Sequence, residues 1–331
     1  MPMNKNLLVI ALAVAFAGCG DEAATTPPTA TDAGASVPAE VDSAAQARVD
    51  ARAQAAPPQV AAPPGGSVDA GKLAPATDAA GFSAKLDQVL AGNHRSEANR
   101  ARDVYRHPKE TLTFFGLKPG DRVIEITPGR GWFTEVLAPL MRGNGTFVAA
   151  IWDDTIEGQP GYHYELVNEF KTVLAQRPDL YDQVVLEPFT PPGEVGLGEP
   201  GSADAVLTFR NVHNWIGDKS APAVFKAAFD VLKPGGVLGV TDHRANPGTK
   251  PEDSAKSGYL SEDAVIALAT DAGFTLAEKS EINANPKDTK DHPKGVWTLP
   301  PTLALGDQDR EKYVGIGESD RMTLKFVKPA Q

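Results

Sequence analysis

Apolar positions along this chain follow two rhythms. Short runs rich in valine, isoleucine and alanine read as strands at residues 123–126, 146–151, 183–187, 203–209 and 237–241. Between them, apolar residues recur at helical spacing: Phe133, Val136, Leu137 and Leu140, then the segments 162–176, 219–232 and 262–272. The last of these has Ser261 as an N-cap and Gly273 as its stop. Residues 274–282 and 321–327 read as two closing strands, separated by an excursion, 283–320, too long for a hairpin turn. Ahead of the first strand come three short helices, at 82–90, 95–105 and 108–115, the third with Pro108 at its start and Gly116 at its end. Arg95, Arg100, Arg102 and Arg106 give the second helix a basic side, expected to be a solvated face pairing with nearby acids, with an anion site as the alternative. This order predicts a doubly wound α/β domain, with ligands beyond the carboxyl ends of its strands.

The rhythm is absent from the first 75 residues. Lys5, an apolar run over 7–17 and small residues up to Cys19 read as a secretory leader, its run short for a bilayer span. Ala17-Gly18-Cys19 resembles the end of a bacterial lipobox, which implies lipidation at Cys19. It is the only cysteine, so no intramolecular disulfide can form. Gly20 follows it instead of the aspartate that retains lipoproteins in the inner membrane, which favours the outer one. Residues 20–75, built of Ala, Pro, Thr, Asp and Gly, are expected to be a disordered tether, leaving 76–331 as the folded domain. The expected location is the cell envelope, facing the periplasm, with the lipid as the only membrane contact.

Composition narrows the chemistry. A net charge of -11 excludes non-specific nucleic-acid binding. The six histidines are scattered and form no metal-binding pattern, so no metal is expected, and His163 and His292 read as surface residues. No G-x-S-x-G elbow is present.

The candidate site begins at the first strand. Glu125-x-Thr127-x-Gly129-x-Gly131 links strand to helix through a glycine turn, where a missing Cβ lets backbone approach a ligand. This resembles motif I of class I S-adenosylmethionine (SAM) dependent methyltransferases, with Thr127 in place of the first glycine. Leu232-Lys233-Pro234-Gly235-Gly236 before the fifth strand is similar to a stretch frequent in that family. Arg210-Asn211-Val212-His213-Asn214-Trp215 resembles R-N-x-x-H-D-W of small-molecule O-methyltransferases, one residue shorter. The resemblance covers residues 82–329. It is closest to a group of bacterial methyltransferases, many with secretion signals, that share stretches like Arg106-His107-Pro108, Pro128-Gly129-x-Gly131-Trp132, Leu299-Pro300-Pro301 and Glu318-Ser319-Asp320-Arg321.

The resemblance implies a seven-stranded, Rossmann-like sheet closed by an antiparallel hairpin, SAM as cofactor, and methyl transfer to a small molecule rather than a protein. Glu125, Thr127, Gly129 and Gly131 would hold the methionine end. Asp153, slightly displaced from the end of the second strand, and Glu187 would reach ribose and adenine, with Arg210 and Asn211 also at the cofactor. For a hydroxyl acceptor, His213 is the first candidate base, with His243 or Asp242 the second; a structural or substrate-orienting role for His213 stays open. Residues 283–320 are expected to cover the strand ends. A second reading also stays open: a lipid-anchored, non-catalytic binding protein on a methyltransferase fold, since SAM is made in the cytosol and the leader sends this chain out of it.

Overall fold

The computed structural model describes residues 68–330. The expected leader, Cys19 and the tether up to residue 67 lie outside the described residues. Residues 68–75, assigned above to the tether, belong to the folded body: Val68 bridges to Gly92, Ala70–Lys72 forms a 3-10 turn and Ala70 is buried. Ala76 marks the reason, since its N–H and C=O are both tied to the side chain of Asn144.

In chain order the elements are helices α1 (Ala79–Leu90), α2 (Glu97–Arg100), α3 (Asp103–Arg106) and α4 (Pro108–Phe115), then strand β1 (Arg122–Ile126), α5 (Thr134–Met141) and β2 (Thr146–Ile151). Next come α6 (Gly161–Gln176), α7 (Pro178–Tyr181), β3 (Val185–Pro188), β4 (Ala203–Phe209), α8 (Val212–Gly217), α9 (Ala221–Val231) and β5 (Leu232–His243). The chain closes with α10 (Pro251–Ser257), α11 (Glu262–Asp271), β6 (Thr275–Ser280), α12 (Arg310–Ile316) and β7 (Arg321–Val327). The seven strands form one sheet in the order β3-β2-β1-β4-β5-β7-β6. Strands β1 to β5 are parallel, and β7 runs antiparallel between β5 and β6. This is the doubly wound α/β arrangement with an antiparallel C-terminal hairpin that the sequence implied.

Strand residues alternate between two covered faces, which is why the central strands read as nearly continuous apolar runs. Ile124, Ile126, Val148, Val206, Leu238 and Val240 pack under Val224, Phe225 and Ala228 of α9 and Val265 of α11. On the other face Val123, Phe147, Ala149, Ala205 and Leu207 meet Leu112 and Phe115 of α4, Val136 and Leu137 of α5, and Phe170 of α6. Among the described residues no helix is long and apolar enough to cross a membrane.

Three local expectations change. The helix predicted over 95–105 is two short ones, and its basic side is not a solvated face: Arg95 and Arg106 are 1% and 2% exposed. Burial is tolerable because Arg95 makes a two-pronged pair with Asp103 at 2.7 Å and Arg106 bonds Glu318 at 3.0 Å. Lys233 to Gly236, placed ahead of the fifth strand, is instead its irregular first part, with a register shift opposite Ala203 and Ala205. Residues 212–217, ahead of the predicted helix, form α8, which places His213 in a helical first turn.

Candidate active site

The carboxyl ends of β1, β2, β4 and β5, with the start of antiparallel β7, make one rim. On its β1 side the chain leaves Ile126 through a turn with Thr127, Gly129 and Gly131 at φ of 51°, 60° and 80°. Thr127 is β-branched in the left-handed region, a conformation costing roughly 1–2 kcal/mol. Its N–H still holds the Ala150 carbonyl at 2.9 Å, continuing the β1–β2 ladder. A Cβ on Gly129 would meet nothing within 4 Å, whereas one on Gly131 would stand 3.3 Å from the Phe170 ring. The turn forms one wall of a largely apolar cleft completed by Ile151, Trp152, Leu166 and Phe170.

Glu125 lies beneath this turn, 2% exposed, accepting a hydrogen bond from Thr134 Oγ1 at 2.8 Å. Burial pushes its carboxyl up to about 8 although the Thr134 bond and the nearby Arg210 charge act the other way. It is therefore mostly protonated at neutral pH. Asn211 braces the same turn: its amide donates to the Ile126 and Thr127 carbonyls at 3.0 and 3.3 Å and to Thr208 Oγ1 at 3.2 Å. It ties the end of β1 and the start of the turn to the end of β4. Arg210, at φ 66°, follows β4 with its N–H on the Thr241 carbonyl, and its charge is felt by Glu125, His243 and Glu318.

The two acids expected at ribose and adenine stand differently. Asp153 follows β2 but turns its carboxylate back on Thr155, accepting from the N–H at 2.9 Å and the hydroxyl at 2.6 Å. That hydroxyl bond holds its carboxyl below the usual range. Glu187 pairs with Ala150 across β2–β3, and its carboxyl carbon faces Gly198 in the loop after β3. His163, expected at the surface, is 7% exposed and stacked on Trp152 at 4.2 Å; burial pushes its imidazole down to about 4.

Across the rim, β4 and β5 bring His213 and Asp242 together. Asp242, fully buried at the end of β5, accepts the His213 ring Nδ1 at 3.0 Å on Oδ1. Its Oδ2 accepts the Val212 N–H at 2.8 Å, and the His243 N–H reaches Oδ1 at 2.7 Å. The carboxylate thus anchors the start of α8 and fixes the imidazole tautomer, leaving His213 Nε2 free of that bond and able to accept a proton. The His243 ring lies 5.3 Å from that of His213 and shares a hydrogen bond with Ser319 Oγ at 2.5 Å. Burial, with the positive neighbours Arg210 and Arg321, holds His243 far below the usual imidazole range, so it is neutral.

His213, Asp242 and His243 also offer ligand atoms within 4.8 Å of one another, the one such trio among the described residues. Sequence spacing could not show it, since the members come from two strand ends. With both Asp242 oxygens already accepting N–H groups, the arrangement is that of a hydrogen-bonded dyad with a neighbouring imidazole.

Residues 283–320 reach over this side of the rim. Trp297 lies edge-on to His213 at 6.2 Å. Asp288, 5% exposed, fastens the excursion by accepting from Tyr259 Oη at 2.9 Å and the Asp320 N–H at 2.7 Å and by bonding His292 Nε2 at 2.8 Å. The His292 imidazole is thus buried, not at the surface as expected. Sequence reading placed Trp297, with the rest of residues 283–320, in a cover over the strand ends but gave Glu318, Ser319 and Arg321 no individual role. The signal was present in the Glu318-Ser319-Asp320-Arg321 stretch, without a role attached.

No family model matches this chain, and no curated protein does. Solved structures are similar to it. A SAM dependent methyltransferase from Aquifex aeolicus is 14% identical with a TM-score of 0.46, the match covering 74% of this chain and 98% of that one. A putative sarcosine dimethylglycine methyltransferase from Galdieria sulphuraria is 14% identical with a TM-score of 0.46, over 71% and 88%. The cyclase SpnF is 16% identical with a TM-score of 0.46, over 74% and 92%. These scores are modest, and the residues of the rim carry the functional reading.

Proposed function

We propose that this chain is a SAM-dependent methyltransferase acting on a small molecule with an ionisable nucleophile such as a hydroxyl. The observation that carries the reading is one rim holding two complementary parts: a glycine turn after β1 over a buried acid, and a buried His213–Asp242 pair facing it from β4 and β5. SAM supplies a methyl group already made electrophilic by its sulfonium. The chain's task is then to hold the nucleophile in line and remove its proton, and positioning alone supplies several orders of magnitude. The open side of Gly129 and the apolar wall of Ile151, Trp152 and Phe170 would take the adenosyl group, with Thr127 towards its methionine end; Glu125, buried beneath the turn on Thr134, would support that turn from below. His213 Nε2 takes the acceptor's proton, and Asp242 holds the imidazole in the tautomer that can do so. Export and lipid attachment at Cys19, in the cell envelope facing the periplasm, complete the proposal on the strength of the leader sequence.

Calorimetric titration of the full chain with SAM and S-adenosylhomocysteine tests it. Micromolar binding, lost in Gly129→Val, is the expected result. Absence of heat at millimolar ligand, from protein shown to be folded, would sink the enzyme reading and leave a non-catalytic binder.

A further inference from the structure

The atoms that share a proton in the dyad are also placed to share a cation. His213, Asp242 and His243 each bring a ligand atom within 4.8 Å of the other two, and His213 Nδ1 and Asp242 Oδ1 already meet at 3.0 Å. A zinc ion binds imidazole nitrogen and carboxylate oxygen at about 2.0–2.2 Å, so those two atoms reach one ion almost where they stand. The widest separation, at most 4.8 Å, exceeds two such bonds by about half an ångström, a shift that the half-buried His243 ring can supply. Two imidazoles and a carboxylate suit a first-row transition metal rather than magnesium or calcium, which take oxygen ligands.

The groups around the trio hold these donors in advance. The Val212 N–H holds Asp242 Oδ2 at 2.8 Å and the His243 N–H holds Oδ1 at 2.7 Å. Both bonds survive an ion on Oδ1, because each carboxylate oxygen has two lone pairs. Ser319 Oγ meets His243 Nδ1 at 2.5 Å; by accepting the Nδ1 proton it leaves the lone pair on Nε2, the outer arrangement that metal-binding imidazoles use. Burial keeps His243 neutral, as a ligand must be. His213 and Asp242 are 3% and 0% exposed, with Trp297 edge-on to His213 at 6.2 Å, so the half-buried His243 is the side from which an ion enters. Charge limits the affinity: Arg210 and Arg321 act on His243 against a cation, and Glu318 acts for one.

We propose that His213, Asp242 and His243 form a site for a first-row divalent transition-metal ion such as Zn2+, bound as the His213 proton moves from Nδ1 to Nε2. Ion and base then exclude each other. With Nδ1 on the ion and the proton on Nε2, His213 has no lone pair left for the proton of an acceptor. The exclusion of the base rests on the methyltransferase reading; the ion site itself does not. Three protein ligands leave at least one position on the ion open.

The probe is Zn2+, titrated calorimetrically into the full chain, with S-adenosylhomocysteine titrated in parallel. Zn2+ is expected to bind once per chain with a Kd below about 50 μM, and at least about tenfold more weakly in His243→Ala, which leaves the His213–Asp242 bond in place. His213→Ala should weaken it in the same direction and serves if the first variant fails to fold. No Zn2+ binding by folded parent protein, or binding unchanged in either folded variant, would overturn the proposal. Histidine-dependent Zn2+ binding without S-adenosylhomocysteine binding would keep the ion site and remove the methyltransferase reading. With an acceptor found by screening, saturating Zn2+ should slow methyl transfer at least about tenfold, reversibly with a chelator. An unchanged or faster rate would overturn the exclusion of the base.

Discussion

The two halves of the rim are built from different materials. The β1–β2 side is backbone and apolar surface, and its two buried titratable groups are kept uncharged: Glu125 is pushed up to about 8 and His163 down to about 4. The β4–β5–β7 side is side-chain chemistry: a fixed Asp–His pair, a neutral second imidazole and three arginines paired with Glu318. Burial acts on both halves with opposite results. Where desolvation meets no strong opposite charge, it neutralises the group; where ion pairs are dense, the charge survives at the end of a network. A half that recognises by shape suits an invariant cofactor, and a half that recognises by charge suits a particular acceptor.

The largest expected effect tests that division directly. His213→Ala should slow methyl transfer to an acceptor found by screening by roughly 10²–10⁴-fold, while S-adenosylhomocysteine affinity stays unchanged. A comparable loss of cofactor affinity would show that the halves are not separable; an unchanged rate would return His213 to a structural role.

Glu125→Gln comes next. A carboxyl near 4.5 when unfolded and about 8 when folded binds more protons in the folded state across that interval. Its stabilising contribution is therefore full below pH 4.5 and is lost as pH rises through 8, at a limiting slope of about 1.4 kcal/mol per pH unit. Urea unfolding of the ligand-free chain at several pH values should show that decline, and the glutamine variant should flatten it. Equal slopes would mean that Glu125 is ionised in the fold, and the contrast between the halves would fail.

Thr127→Gly should give the smallest change. Relief of the left-handed threonine, roughly 1–2 kcal/mol, is partly offset by the greater chain entropy of glycine, about 0.5–1 kcal/mol. The net gain of about 0 to 1.5 kcal/mol would raise Tm by no more than about 3–6 °C. A fall in Tm would mean that the threonine side chain stabilises the turn by more than its backbone costs.

The fold was legible because its signals are local. The strands at Thr146–Ile151, Ala203–Phe209 and Arg321–Val327 have the bounds that their apolar runs predicted, and the glycine turn sits at the end of β1 as its spacing required. The site was legible in part. Asp242, His243 and His213 were readable as rim residues, but not that the Asp242 carboxylate takes the His213 ring. Glu187 kept its strand and still turned toward Gly198, because which side a strand residue presents is set by its neighbours' register.

What the sequence determined by itself is the order of strands and helices, the turn at Gly129 and Gly131, and the set of chemical groups placed at strand ends. Periodicity reports on residues two to four positions apart, which is enough for elements and turns. Only the tertiary structure decided which of those groups are charged and which meet. Arg102 and Glu318 are 216 positions apart, and their 2.7 Å contact exists because α2 and α3 pack beside the start of β7. Basic residues that read as a solvated helix face became a buried cluster for the same reason: burial and pairing belong to the packed rim and have no local pattern.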